Sequence, residues 1–67
     1  MFPNLLGQKA YHKLTTDDMA GIINVSLPTY HRKMRSGKFT IAECIRYAEY
    51  FGKSVEYLFA TEEPNKK

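Results

Sequence analysis

Residues 15–36 read TTDDMAGIINVSLPTYHRKMRS, and the fold turns on how this stretch is divided. Met19, Ala20 and Ile23 fall at i, i+1 and i+4, which places them on one face of a helix that begins at Thr16. Asn24-Val25-Ser26 then breaks the pattern. Asparagine tolerates a left-handed backbone, so Asn24 can close the first helix and redirect the chain. Ser26 can cap the next helix, because its hydroxyl can accept a first-turn N–H. Pro28 costs little in that turn, since its missing N–H would have no intrahelical partner. The second helix then runs to Arg35. Tyr30 and Met34, one turn apart, face inward, and His31, Arg32 and Arg35 project outward.

The flanking sequence adds three more helices. Met1-Phe2-Pro3 reads as a short extended lead, with Pro3 fixing one torsion. Asn4 is expected to cap a helix running to about Lys13, with Leu6, Ala10 and Leu14 as its core stripe and Lys9, His12 and Lys13 solvated. Gly7 inside it costs about 1 kcal/mol relative to alanine, pointing to close packing against another helix or to a weak helix. Thr15 with Asp18 resembles a capping pair, and Asp17 and Asp18 suit the positive end of a helix. After Arg35, Gly37 is expected to provide a left-handed cap, and Lys38-Phe39 a loop. Thr40 and Glu43 form a capping box that opens a helix through about Phe51. Its inward stripe is expected to be Ile41, Cys44, Ile45, Ala48 and Phe51, with Arg46 and Glu49 outside. Gly52 stops it. Ser54 then caps a short helix from Val55 to about Ala60, burying Val55 and Leu58. The pattern predicts an all-α, compact five-helix domain over residues 1–60, followed by a polar tail over 61–67.

Sixty-seven residues suffice for one small domain, and a chain of this size buries only about 60% of its unfolded surface. A hydrophobic content of 43% fits a globular chain rather than a disordered one. The net charge of +3 suits a polyanionic partner without specifying one. A single cysteine forbids an internal disulfide and suits a reducing compartment. No apolar run reaches the roughly 18 residues of a membrane span. The N-terminus lacks a basic region followed by a long apolar core, so a cytoplasmic location is expected.

A family resemblance rests on specific residues. Ala20 sits in the middle of the first helix of the opening stretch, Val25 in the turn, Ser26 at the start of the second helix, and Tyr30 within it. Gly37, the capped helix from Thr40, Ala48, Phe51-Gly52 and Val55-Glu56-Tyr57-Leu58-Phe59 continue the pattern. Together they resemble the helix-turn-helix domains of the lambda Cro/CI-type repressors, the XRE family, from about Asn4 to Phe59. Three positions depart from that pattern. Asn24 stands where glycine is usual, Thr16 where glutamine is common, and Leu27-Pro28 where glutamine or asparagine is frequent.

The resemblance implies a lambda-repressor-like DNA-binding fold and a sequence-specific, repressor-like transcriptional regulator, phage- or prophage-like, in a bacterial or phage-infected cell. The helix from about Ser26 to Arg35 would enter the major groove of double-stranded DNA, which is wide enough to admit it. Ser26, Leu27, Pro28, His31, Arg32 and Arg35 would then face the bases. Arg32 is the leading base reader, because a guanidinium can bond guanine O6 and N7 together. Leu27 and Pro28 could touch a thymine methyl. Thr16, Thr29, Lys33 and Lys38 would meet phosphates, with Arg35 able to do so as well. A homodimer would place two such helices about 34 Å apart on a near-palindromic site. In related repressors the last helix often forms the dimer contact, which makes Tyr57, Phe59 and Ala60 the dimer candidates, with Phe2 behind them; alternatively, Phe59 completes the core.

Competing readings follow from the same residues. Arg32, Lys33 and Arg35 could form a merely solvated basic face, and Leu27-Pro28 with Asp17-Asp18 suit a protein-interaction module, such as an antitoxin or adaptor, that keeps the fold without base reading. Catalysis has little support. Asp17 and Asp18 point about 100° apart on a helix, Cys44 reads as a small buried hydrophobe, and His12 and His31 lack partners at metal-ligand spacing. No enzyme activity, metal, cofactor or small-molecule substrate is expected.

Overall fold

A computed structural model describes residues 2–61, so all of the expected polar tail except Thr61 lies outside the described residues. Five helices and no strand are present among them: α1 (Pro3–Tyr11), α2 (Thr16–Ile22), α3 (Leu27–Ser36), α4 (Ile41–Phe51) and α5 (Val55–Leu58). No helix among the described residues is long and apolar enough to cross a membrane.

Local chemistry sets most helix boundaries. Thr15 and Asp18 form a reciprocal capping box at α2, the Asp18 carboxylate accepting from the Thr15 N–H at 2.9 Å and the Asp18 N–H donating to the Thr15 hydroxyl at 3.1 Å. Thr40 and Glu43 repeat the arrangement at α4. Ser26 and Ser54 cap α3 and α5 through the backbone N–H groups of Thr29 and Tyr57. At the C-terminal ends, Gly37 (φ 75°) and Gly52 (φ 66°) take the left-handed conformation. Asn24 does the same at φ 60°, which lets the chain turn between α2 and α3.

The helices pack in the spatial order α1, α5, α4, α2, α3. The first and last helices therefore lie together, and α3 packs on α2 at the far end of that series. The core consists of Phe2, Leu5, Met19, Ala20, Ile23, Tyr30, Met34, Tyr47, Phe51 and Leu58. Tyr30 and Met34 fix the inner face of α3, as their spacing predicts. Burying such side chains contributes about 1.5–3 kcal/mol each.

Two registers differ from expectation. In α1 the buried leucine is Leu5; Leu6 is 37% exposed, Ala10 is exposed, and Leu14 is half-buried. The helix starts at Pro3, with Phe2 rather than Asn4 at its cap and Tyr11 as its last residue. Phe2 is buried instead of extending away. The Asn4 amide donates to the Tyr57 carbonyl at 2.8 Å and so ties α1 to α5. A Cβ at Gly7 would meet nothing within 4 Å, so Gly7 reflects a weak helix rather than close packing.

In α4 the most deeply buried residue is Tyr47, while Ile41 is 78% and Ile45 45% exposed and Cys44 is only half-buried. The turn of the helix has a physical cause. Tyr47 directs its hydroxyl to the Met19 carbonyl at 2.8 Å, which satisfies the one polar atom that would otherwise resist burial. An aromatic ring buries more apolar area there than isoleucine would. In α5, which ends at Leu58, Leu58 is buried and Val55 half-buried.

Candidate nucleic-acid interface

The outer surface of α3 is set by the two side chains beneath it. With about 100° between successive residues, Tyr30 and Met34 point to the core, and Pro28, Arg32 and Arg35 form a stripe on the opposite side. All three residues of that stripe are exposed. Leu27 and His31 lie on one flank; His31 is exposed and Leu27 is 36% exposed.

The opening turn of α3 carries a short hydroxyl chain. The Ser26 hydroxyl donates to the Thr29 hydroxyl at 2.9 Å, and an Arg32 guanidinium N–H reaches the same Thr29 oxygen at 3.4 Å. The second contact is long, so it steers the guanidinium without holding it firmly. Ser26, Thr29 and Arg32 are thus brought together, with Thr29 half-buried and the other two exposed.

Lys33 stands on the other flank and turns toward α4. Its ammonium is 3.2 Å from the Glu43 carboxylate. It is the one cation in an ion pair among the described residues; Arg32, Arg35 and Lys38 are in none. Burial pushes the Glu43 carboxyl up, but the Thr40 N–H and the Lys33 ammonium outweigh it and leave Glu43 below the usual carboxylate range. Lys38 is exposed in the loop after α3, where its N–H donates to the Ser36 hydroxyl at 3.2 Å. Thr16 is half-buried in the first turn of α2.

The dimer candidates lie elsewhere. Tyr57 is 42% exposed, with the Lys53 ammonium 5.8 Å from its ring centre. Ala60 is exposed, whereas Phe59 is half-buried against Phe2 at 5.0 Å and Phe39 at 5.3 Å between ring centres. Phe59 therefore contributes at least part of its surface to the core.

Asp17 and Asp18 line an open groove between α2 and α4, together with Leu14, Gly21, Ile22, Arg46, Glu49 and Tyr50. The sequence places Arg46 and Glu49 outside α4 but does not show that they line the same groove as the two aspartates. The available signal was the i, i+3, i+4 spacing of Arg46, Glu49 and Tyr50. Among the described residues, no three His, Cys, Asp or Glu side chains converge as metal ligands. Burial and the Glu43 charge raise the Cys44 thiol, which keeps it protonated and poorly nucleophilic at neutral pH.

Comparison with protein families, with characterised proteins and with solved structures finds no match to this chain.

Proposed function

We propose that this chain is a sequence-specific, repressor-like DNA-binding regulator in which α2 and α3 act as a helix-turn-helix of the Cro/CI type, with α3 entering the major groove. The observation that carries the reading is the stripe Pro28–Arg32–Arg35, opposite the buried Tyr30 and Met34, with both guanidinium groups exposed and in no ion pair among the described residues. A helix held by its inner face and cationic on its outer face suits a groove lined by base edges and phosphates.

Roles follow from position. Arg32 reads a base, with guanine the best match for its paired donors. Ser26, Leu27, Pro28 and His31 add hydroxyl, apolar and imidazole contacts at the start of the helix. Thr16, Thr29, Arg35 and Lys38 meet phosphates. Lys33 reaches a phosphate only by exchanging it for Glu43. A dimer formed through Tyr57, Phe59 and Ala60 would repeat these contacts on a second half-site.

Selection of bound sequences from random duplexes, at a stated salt concentration, tests the reading. A two-fold-symmetric motif supports a dimeric regulator, and no enrichment rejects base reading. Arg32→Ala should weaken the selected site by about 1–3 kcal/mol while affecting random DNA less. Equal losses on both would move Arg32 to the backbone. Lys38→Ala should reduce the salt slope of binding by about one unit, and an unchanged slope would remove its phosphate role.

A further inference from the structure

The groove between α2 and α4 has a chemistry of its own. Leu14, Ile22 and the ring of Tyr50 give it apolar walls, and Tyr50 is 54% exposed. Gly21 leaves the wall open, since a Cβ there would meet nothing within 4 Å. Three carboxylates, Asp17, Asp18 and Glu49, and a single guanidinium, Arg46, line it. The groove is thus negative on a chain whose net charge is +3. None of these four charged groups is in an ion pair among the described residues. Asp18 accepts the Thr15 N–H with one oxygen, while Asp17 and Glu49 are exposed.

We propose that this groove docks a cationic amphipathic segment of a partner protein, with an apolar side chain seated against Leu14, Ile22 and Tyr50 and Lys or Arg side chains meeting Asp17 and Glu49. The volume, about 700 Å³, falls in the range of ligand sites, and the site lies largely open to solvent, which suits a side chain presented by a surface segment better than an enclosed small molecule. Charge complementarity chooses the partner: a polyanion is repelled here, while a basic segment is drawn in. A second copy fits less well. Its α3 carries the right charge, but Tyr30 and Met34 are already buried in their own core. Groove-to-α3 contact would also be head-to-tail, building rings or open chains rather than a closed two-fold pair. The docking surface uses different residues from the outer stripe of α3, so it stands whether or not α3 binds DNA.

The test uses the full chain and a fluorescein-labelled peptide of interspersed lysine and leucine, with a lysine–serine peptide of equal charge as the control. Saturable binding is expected for the leucine peptide only, and amide chemical shifts of the isotope-labelled chain should move at Leu14, Gly21, Ile22, Glu49 and Tyr50. Asp17→Asn combined with Glu49→Gln should loosen Kd about fivefold. Gly21→Leu, which keeps every charge and fills the open wall, should abolish the binding with the thermal melt preserved. Equal binding of the two peptides, shifts centred elsewhere, indifference to Gly21→Leu, or no saturable binding would each overturn the proposal. So would concentration-dependent shifts at the same residues without peptide, because they would assign the groove to a second copy.

Discussion

Tyr47 carries a polar atom into the centre of the core and supplies its partner. Its ring is wholly buried, and its hydroxyl donates to the Met19 carbonyl at 2.8 Å, joining α4 to the helix that supports α3. Tyr47→Phe keeps the ring but removes that hydrogen bond, and should cost about 1 kcal/mol at neutral pH, read from thermal or denaturant melts. Burial, helped by the nearby Tyr30 and Glu43, raises the Tyr47 hydroxyl well above the ordinary tyrosine value of 10.0. Tyr30 is also raised by burial. The pH dependence follows in sign. Below about pH 10 both the folded and unfolded chains keep these protons. Above it, the unfolded chain releases protons that the folded chain retains, so stability falls as pH rises. Melts across the alkaline range should show this decline, and Tyr47→Phe should make it shallower while leaving the part due to Tyr30. An equally steep decline in the variant would remove Tyr47 from the explanation. Glu43 acts at the opposite end of the scale. Its carboxyl lies below the usual range, so the stability it contributes is present above the ordinary carboxylate value and is lost as pH falls through its folded value.

The helix ends show which parts of an element can be read from sequence. Three helices close with the same bond, from an N–H to the carbonyl five residues earlier: Leu14 to Lys9 at 2.9 Å, Val25 to Ala20 at 3.1 Å and Lys53 to Ala48 at 3.1 Å. The left-handed residues within them are Lys13 (φ 57°), Asn24 (φ 60°) and Gly52 (φ 66°). Gly52 and Asn24 announce that conformation, but lysine does not, because its Cβ opposes it. Lys13→Gly should therefore stabilise the chain by about 0.5–1 kcal/mol, visible as a higher melting temperature; a lower one would show that the lysine stem contributes more than the strain costs. Gly7→Ala should give a similar gain within α1, since the new methyl meets nothing within 4 Å. The caps Thr15, Ser26, Thr40 and Ser54 and the breakers Asn24, Gly37 and Gly52 were legible for the same reason: the side chain that stops or starts a helix acts on backbone groups a few residues away. The expected Asn4 cap was not borne out, because its amide bonds the Tyr57 carbonyl across the fold and Phe2 stands at the start of α1. The inner face of α3 was legible too, because only Tyr30 and Met34 among its central residues are apolar. The register of α4 was not. Its apolar residues, Ile41, Cys44, Ile45, Tyr47, Ala48 and Phe51, fan over about 160° of the helix, wider than the face that is buried, and the bond from Tyr47 to a carbonyl in α2 favours the Tyr47–Phe51 edge of that fan. The groove is not legible in the sequence, because its walls come from two helices that are separate along the chain.

At the scale of the whole molecule, the chain is a small body, 36 × 23 × 21 Å, in which the residues before α1 and after α5 meet at an aromatic cluster. Phe2 from the N-terminus lies 5.9 Å from Phe39 and 5.0 Å from Phe59 between ring centres, and Phe39 lies 6.0 Å from Tyr47. Phe2 and Phe39 stand outside any periodic pattern, which is why sequence reading left them in a lead and a loop. Their placement has a consequence for α3. Phe39 follows the Gly37 turn that ends α3, and a Cβ at Gly37 would sit 3.5 Å from the Phe2 ring. The exit of α3 is therefore held by the first turn of the chain. Removing a buried aromatic ring costs about 3–5 kcal/mol. A domain of this size has a total stability on the order of 5 kcal/mol. Phe2→Ala should thus abolish a cooperative thermal transition and reduce the protection of α3 amides from hydrogen exchange. Phe2→Leu, which keeps most of the apolar volume, should retain the transition at a lower temperature. If Phe2→Ala instead melts cooperatively within a few degrees of the parent chain, the cluster is not what joins α1 to α5, and the support of α3 must come from Tyr30, Met34 and the Lys33–Glu43 pair.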